Sequence, residues 1–233
     1  MKYTAAALGT LLVLPAILAG QIPVLEEKLE YSVNWPSGLS IGEARIETKP
    51  IGIQGSAPGQ EFLFILKAAI PGFEVADTYR SLATLEYCSV EFEKDFRHGK
   101  KAGRERTIFS PDKGTATRQT LEQGGQSHME VPHCAKDALN FLQYLRREMA
   151  AGRVPPPQAV YFGGPYQVRF EYAGRQKITV SEESIEADRI NVSLKGPASD
   201  HAFQIHLAVE PERRPVLIRV PLPQGPFTME LIF

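Results

Sequence analysis

Five histidines and two cysteines are the side chains of this chain best suited to binding a metal, and their spacing gives no ligand set. His128, His133 and Cys134 are close in sequence, whereas His98, His201 and His206 are scattered. No H-x-x-x-H helix motif or C-x-x-C pair pre-sets a coordination geometry, so no metal site is expected. His206 alternates out of phase with Ile205 and Leu207 and is predicted to face solvent. Ser199-Asp200-His201 has the residue types of a hydrolytic triad, but three consecutive residues cannot converge on one substrate atom. A G-x-S-x-G elbow and a glycine-rich phosphate loop are both missing. The pairs Glu26-Glu27 and Glu182-Glu183 read as solvated, with nothing to bury one carboxyl and tune it for acid–base work. The expectation is a chain without catalytic residues or a cofactor, and not an enzyme.

Two other groups of residues invite a binding function. The densest basic cluster, His98, Lys100, Lys101 and Arg104, falls between two predicted strands. It reads either as a solvated hairpin tip or as a contact for lipid phosphates or an acidic envelope partner. The second group is aromatic: Tyr31, Trp35, Phe62, Phe64, Tyr166, Phe170, Phe203 and Phe227 all fall on predicted inner faces. Together with Leu142 and Met149 they either fill a core or line a hollow for an apolar small molecule or lipid. Trp35, Phe62, Phe64, Leu142, Met149 and Phe170 are the residues expected to touch such a ligand.

The elements that must position these residues are mostly strands. Leu29, Tyr31, Val33 and Trp35 alternate with polar residues, then Pro36-Ser-Gly38 turns the chain into a returning strand through Ala44 and Ile46. Pro50 to Gly59 reads as a loose connection, Phe62–Leu66 as a central strand, and Val75–Thr84 as a further strand, with a short helix as the alternative. Val90–Arg97 and Arg104–Phe109 should pair across the basic turn. Pro111-Asp-Lys-Gly114 signals a tight turn into Thr115–Leu121, with a polar loop over Gln123–Ser127. Alternation resumes at Tyr166–Tyr172, Ile190–Leu194, Phe203–Val209, Val216–Val220 and Phe227–Phe233. One segment has a clean helical period. It starts near Cys134, with Asp137 as its cap or its first-turn acid, and ends at Gly152 before Pro155-Pro-Pro157. Ala138, Leu142, Leu145 and Met149 form its apolar face, and Lys136, Asn140, Gln143 and Arg147 its wetted stripe. One-faced antiparallel strands must curl inward, so the predicted fold is mainly β: a strongly curved antiparallel sheet or half-open barrel with the amphipathic helix on its concave or open side.

The N-terminus carries an address. Met1-Lys2 is followed by an apolar run to Ala19, too short for a comfortable membrane span and suited to a signal peptide over residues 1–20. An uncleaved anchor is the alternative. Residues 21–233 then form one exported β-rich domain without a transmembrane span, periplasmic or secreted. In an oxidising compartment an even cysteine count suggests a Cys88–Cys134 disulfide, the alternative being two separate buried thiols. With net charge −1 and 23% charged residues, composition offers no pull toward nucleic acid.

Several of these stretches also resemble a known family. They are Leu29-x-Tyr31-x-Val33-x-Trp35-x-x-Gly38, Phe92-Glu-Lys-Asp-Phe-Arg-His-Gly99, Cys134-x-x-Asp137-Ala-Leu-x-Phe-Leu-x-x-Leu-Arg146, Ala187-Asp-Arg-Ile190 and the segment from Pro215-Val through Gly225-Pro-Phe-x-Met-Glu-Leu231. In these the chain is similar to an exported bacterial family, domain-of-unknown-function family 3108. The resemblance implies export and a β-rich fold, and no activity.

Overall fold

A computed structural model describes residues 26–53, 57–122, 124–197, 200–221 and 226–233; the predicted signal peptide lies outside them. A meander comes first: β1 (Glu27–Asn34), β2 (Ser40–Ile53), β3 (Ala57–Ile70), β4 (Phe73–Thr84), β5 (Ser89–His98), β6 (Lys101–Ser110), β7 (Thr115–Thr120) and β8 (Gly125–Glu130). A two-residue strand, β9 (Lys136–Asp137), leads into α1 (Ala138–Ala150). A second run of strands follows: β10 (Gln158–Tyr161), β11 (Pro165–Val180), β12 (Glu183–Lys195), β13 (Asp200–Ala208), β14 (Pro215–Val220) and β15 (Phe227–Leu231). All join one sheet in the order β8-β7-β6-β5-β4-β3-β2-β1-β15-β14-β13-β12-β11-β10-β9, antiparallel except at β9–β10. β1 and β15 splice the two runs, with Tyr31 opposite Leu231 and Val33 opposite Met229.

The sheet curls without closing. Its β9 end comes back to the start of β5, where the Ser89 amide donates to the Ala135 carbonyl at 2.8 Å. The disulfide Cys88–Cys134 fastens the same place. It spans 46 residues of sequence, a loop closure that stabilises by ~4 kcal/mol in the chain-entropy model.

Neighbouring strands run antiparallel, so their turns alternate between two ends of the curled sheet. α1 lies across one of them and makes a floor. Asn140 Nδ2 donates to the Tyr87 carbonyl in the β4–β5 turn at 2.8 Å. The Arg146 guanidinium grips both carboxylate oxygens of Glu27 at 2.6 and 2.7 Å, and also donates to the Glu212 carbonyl in the β13–β14 turn. Asp137 caps the helix, accepting from the Leu139 and Asn140 amides at 3.0 Å. The opposite end is the rim, formed by the turns β1–β2, β3–β4, β5–β6, β7–β8 and β12–β13; the β10–β11 turn folds inward onto the middles of β5 and β6.

Three apolar clusters fill the cup. One joins β1, β2, β14 and β15 with the far half of the β11–β12 hairpin, through Tyr31, Val33, Ile46, Val180, Val216 and Leu231. A second packs Phe141, Leu145 and Met149 of α1 onto Val168, Ile190, Val192 and Ile205. A third sits under β5–β7 around Phe92, Phe109 and Tyr161. A bulge at Tyr172/Arg175 lets β11 change the face it buries between the first two.

The structure departs from the sequence reading in particular places. Pro50 and Gly59 lie in strands, because β2 and β3 pair out to Ile53 and Ala57. The region read as the Gln123–Ser127 loop holds the start of β8. The basic turn is a two-residue connection with Gly99 at φ 59°, since strand pairing extends to His98 and Lys101. β1 stops at Asn34, leaving Trp35 to open the turn. The predicted wetted stripe is mostly buried: Lys136, which lies in β9 before the helix, and Asn140 and Gln143 are buried, and only Arg147 is exposed. The rest of the helix's polar face meets the surrounding turns instead of water. His206 is also buried, on the opposite face of β13 from Ile205 and Leu207.

Candidate functional site

Between the floor helix and the wall of β10–β14 lies a cavity of about 380 Å³. Phe141, Leu142 and Leu145 form its base. Its wall follows from strand register. Phe170 stands opposite Val192 and Val168 opposite Leu194, while Val192 faces Phe203 and Ile205 faces Ile218 on the next pairs. Side chains directly opposite across antiparallel strands share a face, so these pairs build one continuous apolar surface. Apart from His201 and the hydroxyl of Tyr166, every lining side chain is hydrocarbon. Such a surface holds guests by apolar burial and gives little directional selection.

Phe162 bridges the cup. It lines the cavity from the β10–β11 turn and reaches the far wall, edge-on to Tyr79 with ring centroids 5.1 Å apart and tilted against Phe92 at 5.7 Å. The Lys94 ammonium lies 4.5 Å from its ring centroid. Behind it, Lys94 and Arg118 both pair with Glu105. Burial alone would raise the Glu105 carboxyl, but these two cations hold it below its ordinary range. Gly163, at φ 73°, lets the turn sit directly on that cluster: a β-carbon there would lie 2.8 Å from Glu105 Oε2.

The buried polar groups near the floor serve the helix. Asp137 is fully enclosed, and burial pushes its carboxyl upward. Hydrogen bonds from Ser81 and Ser89 hydroxyls, both 2.6 Å, and from two helix amides oppose that shift. Lys136 packs its ammonium 4.7 Å from the Tyr144 ring centroid and 3.5 Å from Cys134 Sγ; burial lowers its pKa. These contacts leave each group engaged with its neighbours. Among the described residues no group of three or more His, Cys, Asp or Glu is arranged to hold a metal.

Of the residues predicted to touch a ligand, Leu142 and Phe170 line the cavity. Met149 is buried in the same cluster without reaching the lumen. Phe62 stacks on Tyr87 at 6.3 Å and Phe64 on Tyr79 at 5.6 Å, both on the meander wall. Trp35 is half-buried at the rim. His98, Lys100, Lys101 and Arg104 cluster at the β5–β6 tip, with His98 Nε2 2.8 Å from Asp77 Oδ1. Val168, Val192, Leu194 and Ile205 were recoverable from alternation combined with strand pairing. Phe162 was not, because it stands outside any periodic pattern, before two glycines.

No curated protein matches this chain. Among solved structures, the chain is similar to a β-barrel-like protein of domain of unknown function DUF1849 from Brucella abortus. The TM-score is 0.58 at 8% identity, covering 90% of this chain and 96% of the other. At that identity the likeness concerns the fold alone, and it agrees with a large curved sheet that stops short of closure. The model of the family described as protein of unknown function (DUF3108) matches residues 30–232, and the chain belongs to that family.

Proposed function

We propose that this is an exported envelope protein that holds an apolar ligand, such as a lipid chain, between its curved sheet and its floor helix. The observation that carries the reading is the hydrocarbon-lined cavity of about 380 Å³, at the lower end of the roughly 300–1,000 Å³ usual for small-molecule sites. A void of that size lined by Phe, Leu, Val and Ile forgoes packing contacts unless a guest supplies them. Export is supported by the apolar N-terminal run and by the disulfide, which persists in oxidising compartments. Among the described residues no helix is long and apolar enough to cross a membrane.

Uptake of an apolar fluorescent dye by the purified protein, followed by displacement with fatty acids, tests this. One displaceable site is expected. Leu194→Trp, which adds bulk to the cavity wall, should weaken uptake by at least about tenfold while the far-UV spectrum is kept. A folded protein that takes up no dye defeats the reading. That result would favour an envelope-assembly module working through the outer edge of β8, whose side chains are largely exposed.

A further inference from the structure

We infer that the rim opposite α1 docks on the surface of a lipid bilayer containing anionic lipid. Large apolar side chains stand out at three rim tips: Leu39 at β1–β2 (67% exposed), Phe73 at β3–β4 (45%) and Leu121 at β7–β8 (43%). Between the last two lies the β5–β6 tip, with Arg97, Lys100, Lys101 and Arg104 all exposed. Isolated exposed hydrophobics are ordinary on any protein. Here they share one end of the sheet and are interleaved with cations, the composition that places apolar groups among acyl chains and ammonium groups among phosphates.

The geometry makes the tips one surface. The Gly99 amide donates to the Glu74 carbonyl at 2.7 Å, tying the β3–β4 tip to the β5–β6 tip. Phe73 rests against Gly99, where an added β-carbon would meet its ring at 3.1 Å. The acids of this rim are Glu74, Asp95, Glu122 and Asp200, all exposed. Asp95 stands across from Arg104 and Asp200 across from Lys195, so each faces a cation on its neighbouring strand. Glu74 and the buried Asp77, which pairs with His98, accompany Arg97, Lys100 and Lys101 on the two joined tips, leaving them net positive. The opposite end exposes Glu26, Glu86, Asp112, Glu182, Glu183 and Glu212 beside the cations Lys113, Arg147 and Arg153, and its exposed apolar residues Val154, Ile232 and Phe233 have no such run of cations as the β5–β6 tip. Exposed acids outnumber exposed cations there, so an anionic surface favours the rim over the floor end.

The cavity runs from the floor toward the same rim, where Tyr166, Leu194 and His201 stand. Docking would set its mouth against the bilayer. That purpose rests on the ligand-binding reading above; the docking itself does not.

Flotation with vesicles is the test, using the full chain as the expressing cell processes it. Vesicles of phosphatidylcholine mixed with phosphatidylglycerol are compared with phosphatidylcholine alone. All variants have the same N-terminal sequence and are processed alike, so any membrane attachment through the N-terminal run is common to them. Salt-sensitive flotation with the mixed vesicles is expected. Lys100→Glu with Lys101→Glu should weaken it at least about tenfold, and Phe73→Ser on the order of tenfold, with dye uptake unchanged in both. No flotation with mixed vesicles overturns the docking, as does flotation that these substitutions leave unaltered. Variant-sensitive flotation without dye uptake supports the docking and defeats the ligand-binding reading alone. Dye uptake without flotation does the reverse.

Discussion

His206 sits on β13 directly across from Arg189 on β12 and Leu217 on β14, with the Gln176 amide nitrogen 3.1 Å from Nε2. Burial, helped by the charges of Arg219 and Arg189, pushes its pKa down to about 4. The folded ring stays neutral in a range where the unfolded ring, near 6.5, takes up a proton. The stability this group contributes is therefore intact above about pH 6.5 and is lost as pH falls toward 4. Allowing for residual solvent screening, the loss should be about 2 kcal/mol across that window. Urea titrations at several pH values should show this slope in the native protein, and His206→Gln should flatten it. At lower pH Asp188 is one of several carboxylates whose protonation further destabilises the fold. Burial raises its carboxyl, but Arg175, Tyr172 and Arg213 hydrogen bonds hold it below the ordinary range. The sequence pattern marked His206 as alternating away from Ile205, which is correct. It could not show that this face of β13 is covered as well, because that depends on Gln176 arriving from the far side of a bulge.

At the scale of elements, the helix and the β10–β11 turn decide what the sheet encloses. The period of α1 and its Asp137 cap were legible, as were its apolar residues. That Lys136, Asn140 and Gln143 would be buried was not. A helix lying on one face of a sheet keeps a wet side, whereas this one crosses the end of a curled sheet and meets turns along most of its polar face. The β10–β11 turn was silent for a different reason. Phe162-Gly163-Gly164 has no periodicity, and its importance comes from Tyr79, Phe92 and Glu105, which are distant in sequence. Gly163→Val should reveal that contact. The left-handed backbone and the 2.8 Å approach to Glu105 together should cost about 2–4 kcal/mol, read as a lowered denaturation midpoint. Lifting the turn should also free Phe162 and increase the rate of dye entry.

For the whole molecule, alternation every second residue did predict a curved sheet, because one-faced strands have to hide the same side. The outcome of the curl, a hollow beside filled clusters, depends on how Phe141, Phe170 and Phe203 share space, and no local pattern encodes that. The molecule is polar in its plan: helix, acidic turns and disulfide at one end, basic and apolar tips at the other. Under the proposed function, the hollow above α1 takes an apolar guest. The natural chain has one tryptophan, Trp35, which does not line the cavity. Moving that probe by combining Trp35→Phe with Phe170→Trp places it on the wall. Titrating both proteins with a brominated fatty acid, in the absence of vesicles, compares the two positions. Saturable quenching at position 170 with little at Trp35 is the predicted result. A folded variant whose Trp at 170 is not saturably quenched, or is quenched no more than Trp35, would show that the hollow takes no such guest.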